Sequence, residues 1–186
     1  MKDKNARPTK ILWMDLEMTG LDPDKDVIIE LAVEVTDFEF NQIASFEAVI
    51  KHPEAILTNM NPWADAQHAK SGLTELIRKE GRPEDEVKHE LVGFIKAQFG
   101  NEMAILAGNS IHNDRLFIAK WWPEVDALLH YRMLDVTSWK IYMQGKHNIN
   151  FQKPEAHRAF EDIQGSIAEL QYYLDWFRKH SDSDDA

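Results

Sequence analysis

The chain has 186 residues, 44% of them hydrophobic and 28% charged, which suits one ordinary globular domain with a full-sized core. No run approaches the ~18 consecutive apolar residues of a membrane span, and the lack of cysteine excludes disulfides, thiolate nucleophiles and zinc-thiolate sites. With 21 Lys and Arg against 32 Asp and Glu the net charge is −11, and no basic stripe of the kind that tracks a long nucleic-acid backbone is visible.

The opening MKDKNARPTK has no apolar centre of a signal peptide, so a cytoplasmic protein is expected. Residues before about Thr9 and after about His180 read as frayed ends, which leaves a single domain. Ile11 to Leu16 is strand-like. After the Gly, Pro and Asp of the turn TGLDPDKD, residues Val27, Ile29, Leu31, Val33 and Val35 alternate with smaller or polar ones, as in a half-buried strand. Ser45 to Lys51 reads as its antiparallel neighbour.

Short helices follow, one starting at Pro62 and broken at Ser71-Gly72. Gly81 and Pro83 open a longer helix with Val87, Leu91, Phe94 and Ile95 at helical spacing. Ala104 to Ala107 is a short buried strand ending at Gly108-Asn109-Ser110, before a helix that carries Asp114. A strand near Tyr131 to Leu134 precedes another helix. The last helix is expected to begin after Pro154 and to bury Ile163, Ile167, Leu170, Leu174 and Phe177. A three-strand meander followed by helix-separated strands predicts an α/β fold with a mixed sheet flanked by helices.

Asp15 and Glu17 stand out. At the end of an apolar strand the side-chain period of two puts both on one face, with Cα atoms ~7 Å apart. Two like charges ~5 Å apart at an effective dielectric of ~20 repel by roughly 3 kcal/mol. A proton or a cation must answer that charge. Oxygen-only ligands suit Mg²⁺ or Mn²⁺, and a pair of such ions is a device for phosphoryl-transfer chemistry. An Asp-x-Glu on a solvated face is the bland alternative, but the apolar flank of Ile11, Leu12, Trp13 and Met14 weighs against it.

Other candidates are weaker singly. Asp114 in a first helical turn is favoured by the macrodipole alone, and Ser110 before it is a plausible cap or anion site. His157 and Asp162 would point ~140° apart on one continuous helix. Asp162 is therefore expected on the helix body and His157 on the loop or first frayed turn. Glu161 competes with Asp162 on spacing alone.

Together these residues sit in LWMDLEMTGLDP, HAKSGL, GNSIHNDRLF, HYRMLDV and HRAFEDIQGSIAEL, in order over roughly residues 10 to 178. In those segments the chain resembles the DEDDh-type 3′-to-5′ exonucleases of the ribonuclease H-like superfamily, and most closely the branch that degrades very short RNA. The resemblance implies a five-stranded ribonuclease H-like sheet. It implies that Asp15, Glu17, Asp114 and Asp162 bind two divalent ions, Mg²⁺ or Mn²⁺, with His157 as general base. The family spacing of five residues from histidine to the fourth acid selects Asp162 over Glu161.

It further implies that Leu21 and Trp63 pack against bases, that His68 contacts the nucleotide backbone, and that Ser110 helps cap a 5′-phosphate. Tyr131, Arg132 and Thr137 resemble a segment that reaches across a homodimer, with Thr137 where a serine is usual. Without the resemblance, Leu21, Trp63 and Tyr131 would read as packed side chains and Arg132 as a surface charge. The implied substrate is short single-stranded RNA, gripped by a few local contacts, which reconciles nucleic acid with a charge of −11. The competing readings are a DNA- or tRNA-directed exonuclease acting on longer 3′ ends, a non-catalytic metal-binding module, and, last, a two-carboxylate glycosidase.

Overall fold

In the computed structural model, which describes residues 7–152 and 158–180, five strands form one mixed sheet in the order β3-β2-β1-β4-β5. Strand β1 (Ile11–Met18) pairs antiparallel with β2 (Ile28–Thr36), and β2 pairs antiparallel with β3 (Gln42–Val49). On its other side β1 runs parallel to β4 (Ala104–Gly108), which runs parallel to β5 (Leu129–Asp135). The expected mixed five-stranded sheet is present.

Its two faces are covered differently. Leu12, Met14, Leu31, Val33 and Val35 pack with Val87, Leu91 and Ile95 of α4 (Glu84–Phe99) and with Phe117 and Ile118 of α5 (His112–Trp121). On the opposite face Ile11, Trp13, Ala32 and Ala107 meet Ile163, Ile167 and Leu170 of α8 (Ala159–His180). Beside α8 lies α7 (Val136–His147). The short helices α1 (Glu54–Leu57), α2 (Pro62–Ser71) and α3 (Leu73–Glu80) close one end, where Leu57, Leu73 and Ile77 pack on Ile29. The remaining short helix, α6 (Pro123–Asp126), links α5 to β5. Among the described residues no helix is long and apolar enough to cross a membrane.

The alternating pattern of β2 predicts a half-buried strand, yet all nine of its residues are buried. The reason lies in α8. Arg158, just before it, pairs with Glu30, and Gln164 on its body donates to Glu34, so the polar face of β2 is sealed by partners rather than by water. The edge strand β3 also ends earlier than its sequence suggests. The Ile50 N–H still donates to the Ile29 carbonyl of β2 at 2.9 Å, but the Lys51 N–H donates instead to the Arg82 carbonyl at 2.8 Å. The expected start of the last helix after Pro154 falls outside the described residues, within which α8 begins at Ala159.

Candidate active site

One face of β1 carries Ile11 and Trp13 under α8, and then, beyond the apolar contact, Asp15 and Glu17. Asp162 lies in the first turn of α8. One carboxylate oxygen from each of Asp15, Glu17 and Asp162 lies within 4.8 Å of the other two. Glu161, the neighbour that spacing alone does not exclude, is exposed. Three acid side chains from two elements distant in sequence therefore converge at the mouth of the sheet.

Asp114 stands next to this cluster rather than in it. Strand β4 accompanies β1 only through Trp13, and α5 begins where β4 has ended. Asp114 Oδ1 accepts the Leu16 N–H at 2.9 Å, beyond the last paired residue. Gly108 allows this close passage, because a Cβ there would stand 2.9 Å from the Met14 carbonyl oxygen.

The electrostatics follow from the crowding. Burial, with Glu30, Asp162 and Asp114 nearby, pushes the Glu17 carboxyl up to about 8, against the opposing pull of the Arg158 guanidinium. Burial likewise raises Asp114 to about 7, opposed by the Leu16 N–H and by its own. Acids that resist ionisation at this spacing are a donor set lacking positive charge. Hard oxygen donors so arranged fit Mg²⁺ or Mn²⁺.

A stability prediction follows. Unfolded, Glu17 titrates near 4.5, and folded near 8, so between those values the folded state binds more protons and stability falls as pH rises. In chelator-treated protein the melting midpoint should therefore drop from pH 5 to pH 8 by on the order of 10 °C, corresponding to a few kcal/mol. Glu17→Gln should flatten the decline, and Mn²⁺ should oppose it most at pH 8. Thermal scans across that range measure this; an equally steep decline in Glu17→Gln would show that Glu17 is not its source.

Beside the acids lies a cavity of about 400 Å³ lined by Asp15, Glu17, Leu21, Trp63, His68 and Asp162, among others. Two apolar side chains stand over it, Leu21 72% exposed and Trp63 62% exposed. Their display is built locally. Asp26 accepts the Thr19 hydroxyl and the Asp22 N–H, each at 2.9 Å, which folds the turn that carries Leu21. The Asn61 N–H donates to the Thr19 carbonyl at 2.8 Å, and Asn61 Oδ1 caps α2 by accepting the Trp63 N–H. Neither Leu21 nor Trp63 is the packed core residue that sequence alone allows. His68 is buried; its Nε2–H donates to the Met18 carbonyl at 2.9 Å, and its Nδ1 lies 3.9 Å from Glu17 Oε2.

Among the described residues, the other predicted positions, Asp114, Ser110, Tyr131, Arg132 and Thr137, do not line this cavity. Ser110 does not cap α5. It sits in the left-handed region at φ 50°, and its N–H donates to Asp135 Oδ1 and Thr137 Oγ1. The Ser110 and Thr137 hydroxyls are 3.2 Å apart. Tyr131 and Arg132 project from the edge strand β5, exposed, with the guanidinium 5.1 Å from the ring centroid. His157 lies outside the described residues.

Sequence reasoning missed Glu30 and Arg158. Glu30 is buried opposite Glu17 in the β1–β2 ladder, and its carboxylate accepts from Arg158 and from the Ala159 N–H. It thereby caps α8 at the turn that carries Asp162. The available signal was a pair of acids, Glu30 and Glu34, set among the apolar residues of one strand.

Residues 12–170 match the family model described as exonuclease, RNase T. An oligoribonuclease of Francisella tularensis is 41% identical over 168 residues, 88% of this chain and 93% of that protein. An oligoribonuclease of Pseudomonas aeruginosa is 39% identical over 176 residues, covering 92% and 98%. Among solved structures, exonuclease I of Methylocaldum szegediense aligns with a TM-score of 0.60 at 18% identity, over 88% of this chain and 40% of that one. Escherichia coli exonuclease I in its zinc-bound complex with single-stranded DNA gives 0.61 at 18% identity, over 94% and 43%. The chain spans about two-fifths of those two exonuclease I chains, and at that identity the likeness concerns the fold.

Proposed function

Since this chain belongs to the RNase T exonuclease family, and within it to the oligoribonucleases, we propose that it is a 3′-to-5′ exoribonuclease whose preferred substrates are the shortest RNAs, dinucleotides above all. The observation that supports this reading is the cluster of Asp15, Glu17 and Asp162 on the wall of a cavity overhung by Leu21 and Trp63. Asp15, Glu17 and Asp162, with Asp114 beside them, would hold two divalent ions. Bound there, Mg²⁺ or Mn²⁺ would supply the positive charge that favours an ionised water and a developing alkoxide.

The side chains would do the rest. Leu21 and Trp63 would hold bases by stacking, worth ~1–3 kcal/mol per base and indifferent to sequence. His68 would steady Glu17 from its buried side and meet the nucleotide backbone. Water attacks the phosphorus of the terminal diester, His157 takes the water's proton, and the 3′-oxygen of the preceding nucleotide leaves. A 5′-mononucleotide is released. A histidine serves this role near neutrality because its ordinary pKa of ~6.5 needs little adjustment.

Ser110 and Thr137 would cap the 5′-phosphate of the substrate. Tyr131 and Arg132, standing outside the cavity on an exposed strand edge, would complete the cap in the active site of a second copy, making the working form a homodimer, in the cytoplasm. A cap built this way limits length physically, since a longer strand has no exit past it.

Mn²⁺-dependent cleavage of 5′-phosphorylated RNAs from two to about ten nucleotides, a range reaching past the smallest single-strand sites of ~4, tests the reading. Turnover should be fastest for the dinucleotide, releasing 5′-mononucleotides. Arg132→Ala should raise KM for that substrate, with the protein running as a dimer in sedimentation. Rates that climb with length would instead assign the protein to longer 3′ ends, of DNA or tRNA.

A further inference from the structure

Glu169 is a carboxylate with no role in the chemistry above, and it is completely buried. It lies seven residues after Asp162 on α8, close to two full turns, so the two project from nearly the same side of the helix. A buried carboxylate persists only where hydrogen bonds or a counter-charge satisfy it. Its Oε2 accepts Asn109 Nδ2 at 2.8 Å and its Oε1 accepts the Tyr173 hydroxyl at 2.7 Å. Lys140 Nζ lies 3.8 Å from Oε1 and supplies the opposing charge.

The Asn109 contact leads to the residue read above as part of the phosphate cap. Asn109 immediately precedes Ser110, a non-glycine residue held at positive φ. Such a conformation is strained and persists only when its surroundings over-determine it. Asp135 and Thr137 hold the Ser110 N–H from one side, and Glu169 holds Asn109 from the other. The amide can face only one way. Turned over, its oxygen would oppose a carboxylate, and as it stands Asn109 Oδ1 is buried without a hydrogen-bond partner among the described residues. Tyr173, on the other oxygen of Glu169, is itself held: its hydroxyl also receives the Phe151 backbone N–H, and Phe151 packs on Tyr172 with ring centroids 5.5 Å apart.

We propose that Glu169 is a positioning residue for this reaction: held in place by Tyr173 and Lys140, it fixes through Asn109 the left-handed turn that presents Ser110. One buried carboxylate on the last helix thus sets a turn far from it in sequence. This inference rests on the reading of Ser110 as part of a 5′-phosphate cap.

The test compares a dinucleotide carrying a 5′-phosphate with the same dinucleotide carrying a 5′-hydroxyl, with Mn²⁺ saturating. Asn109→Ala severs the contact with Glu169. It should raise KM for the 5′-phosphorylated substrate about tenfold, the effect of losing one charge-assisted hydrogen bond, and leave KM for the 5′-hydroxyl substrate and both kcat values nearly unchanged. Tyr173→Phe leaves the contact between Glu169 and Asn109 in place, and should keep the preference for a 5′-phosphate. Glu169→Gln should carry the Asn109→Ala defect; if it fails to fold, Asn109→Ala decides the matter.

A merely structural role would lower both parameters on both substrates in step with the melting temperature, and that result overturns the proposal. Ser110→Ala separates the two levels. If it removes the preference for a 5′-phosphate and Asn109→Ala does not, the positioning role falls while the cap stands. If Ser110→Ala leaves the preference intact, the cap reading falls and takes the positioning role with it.

Discussion

Asp162→Ala is expected to reduce Mn²⁺-dependent turnover of a dinucleotide by on the order of 10³-fold without destabilising the metal-free protein. The two effects have one origin. Asp162 is among three carboxylates whose oxygens crowd within 4.8 Å, and its charge helps push Glu17 up to about 8. Removing it relieves repulsion in the empty cluster and deletes a donor when a cation is present. Calorimetric titration with Mn²⁺ should show weaker binding, and thermal scans in chelator should show an unchanged or higher melting point. Loss of turnover with undiminished Mn²⁺ affinity would place Asp162 outside the metal site.

The second large effect is expected at His157. Replacement by alanine should cost about 10²–10⁴ in kcat, the usual contribution of a positioned general base. It should leave Mn²⁺ affinity alone, since in the proposed site carboxylates alone would hold the cation. The acid limb of the pH–rate profile, expected near ~6.5 for an ordinary imidazole, should disappear with the side chain. A variant that keeps that limb would move the base to another residue. The two substitutions are thus separable: one moves metal affinity, the other the proton.

Much of this was legible in the amino-acid sequence, and for a physical reason. A strand has a period of two, so Ile11, Trp13, Asp15 and Glu17 had to share a face, and an apolar run ending in two acids marks where a buried strand opens to solvent. The stripe from Ile163 to Leu170 likewise fixed which side of the last helix meets the sheet. Spacing did not distinguish Glu161 from Asp162. Only the seating of α8 turns one toward β1 and leaves the other in water.

Glu30 was illegible because its burial comes from an element about 130 residues away. An acid alternating with apolar residues looks like a solvated face until something covers it. The same holds for Glu169, whose position on α8 says nothing about the asparagine it meets. Long-range polar contacts leave no period in the sequence, whereas packing against a regular element does.

The placement of α8 has a consequence for how the protein is made. Asp15 and Glu17 emerge early in synthesis, but the third acid of their cluster follows about 150 residues later. At ~5–20 residues per second, β1 waits on the order of 10 s for Asp162. During that interval Ile11 and Trp13 lack the helix that covers them, and the half-made chain lacks the third acid of its carboxylate cluster. The site is whole only once the last helix has been made, and until then the nascent chain carries an uncovered tryptophan.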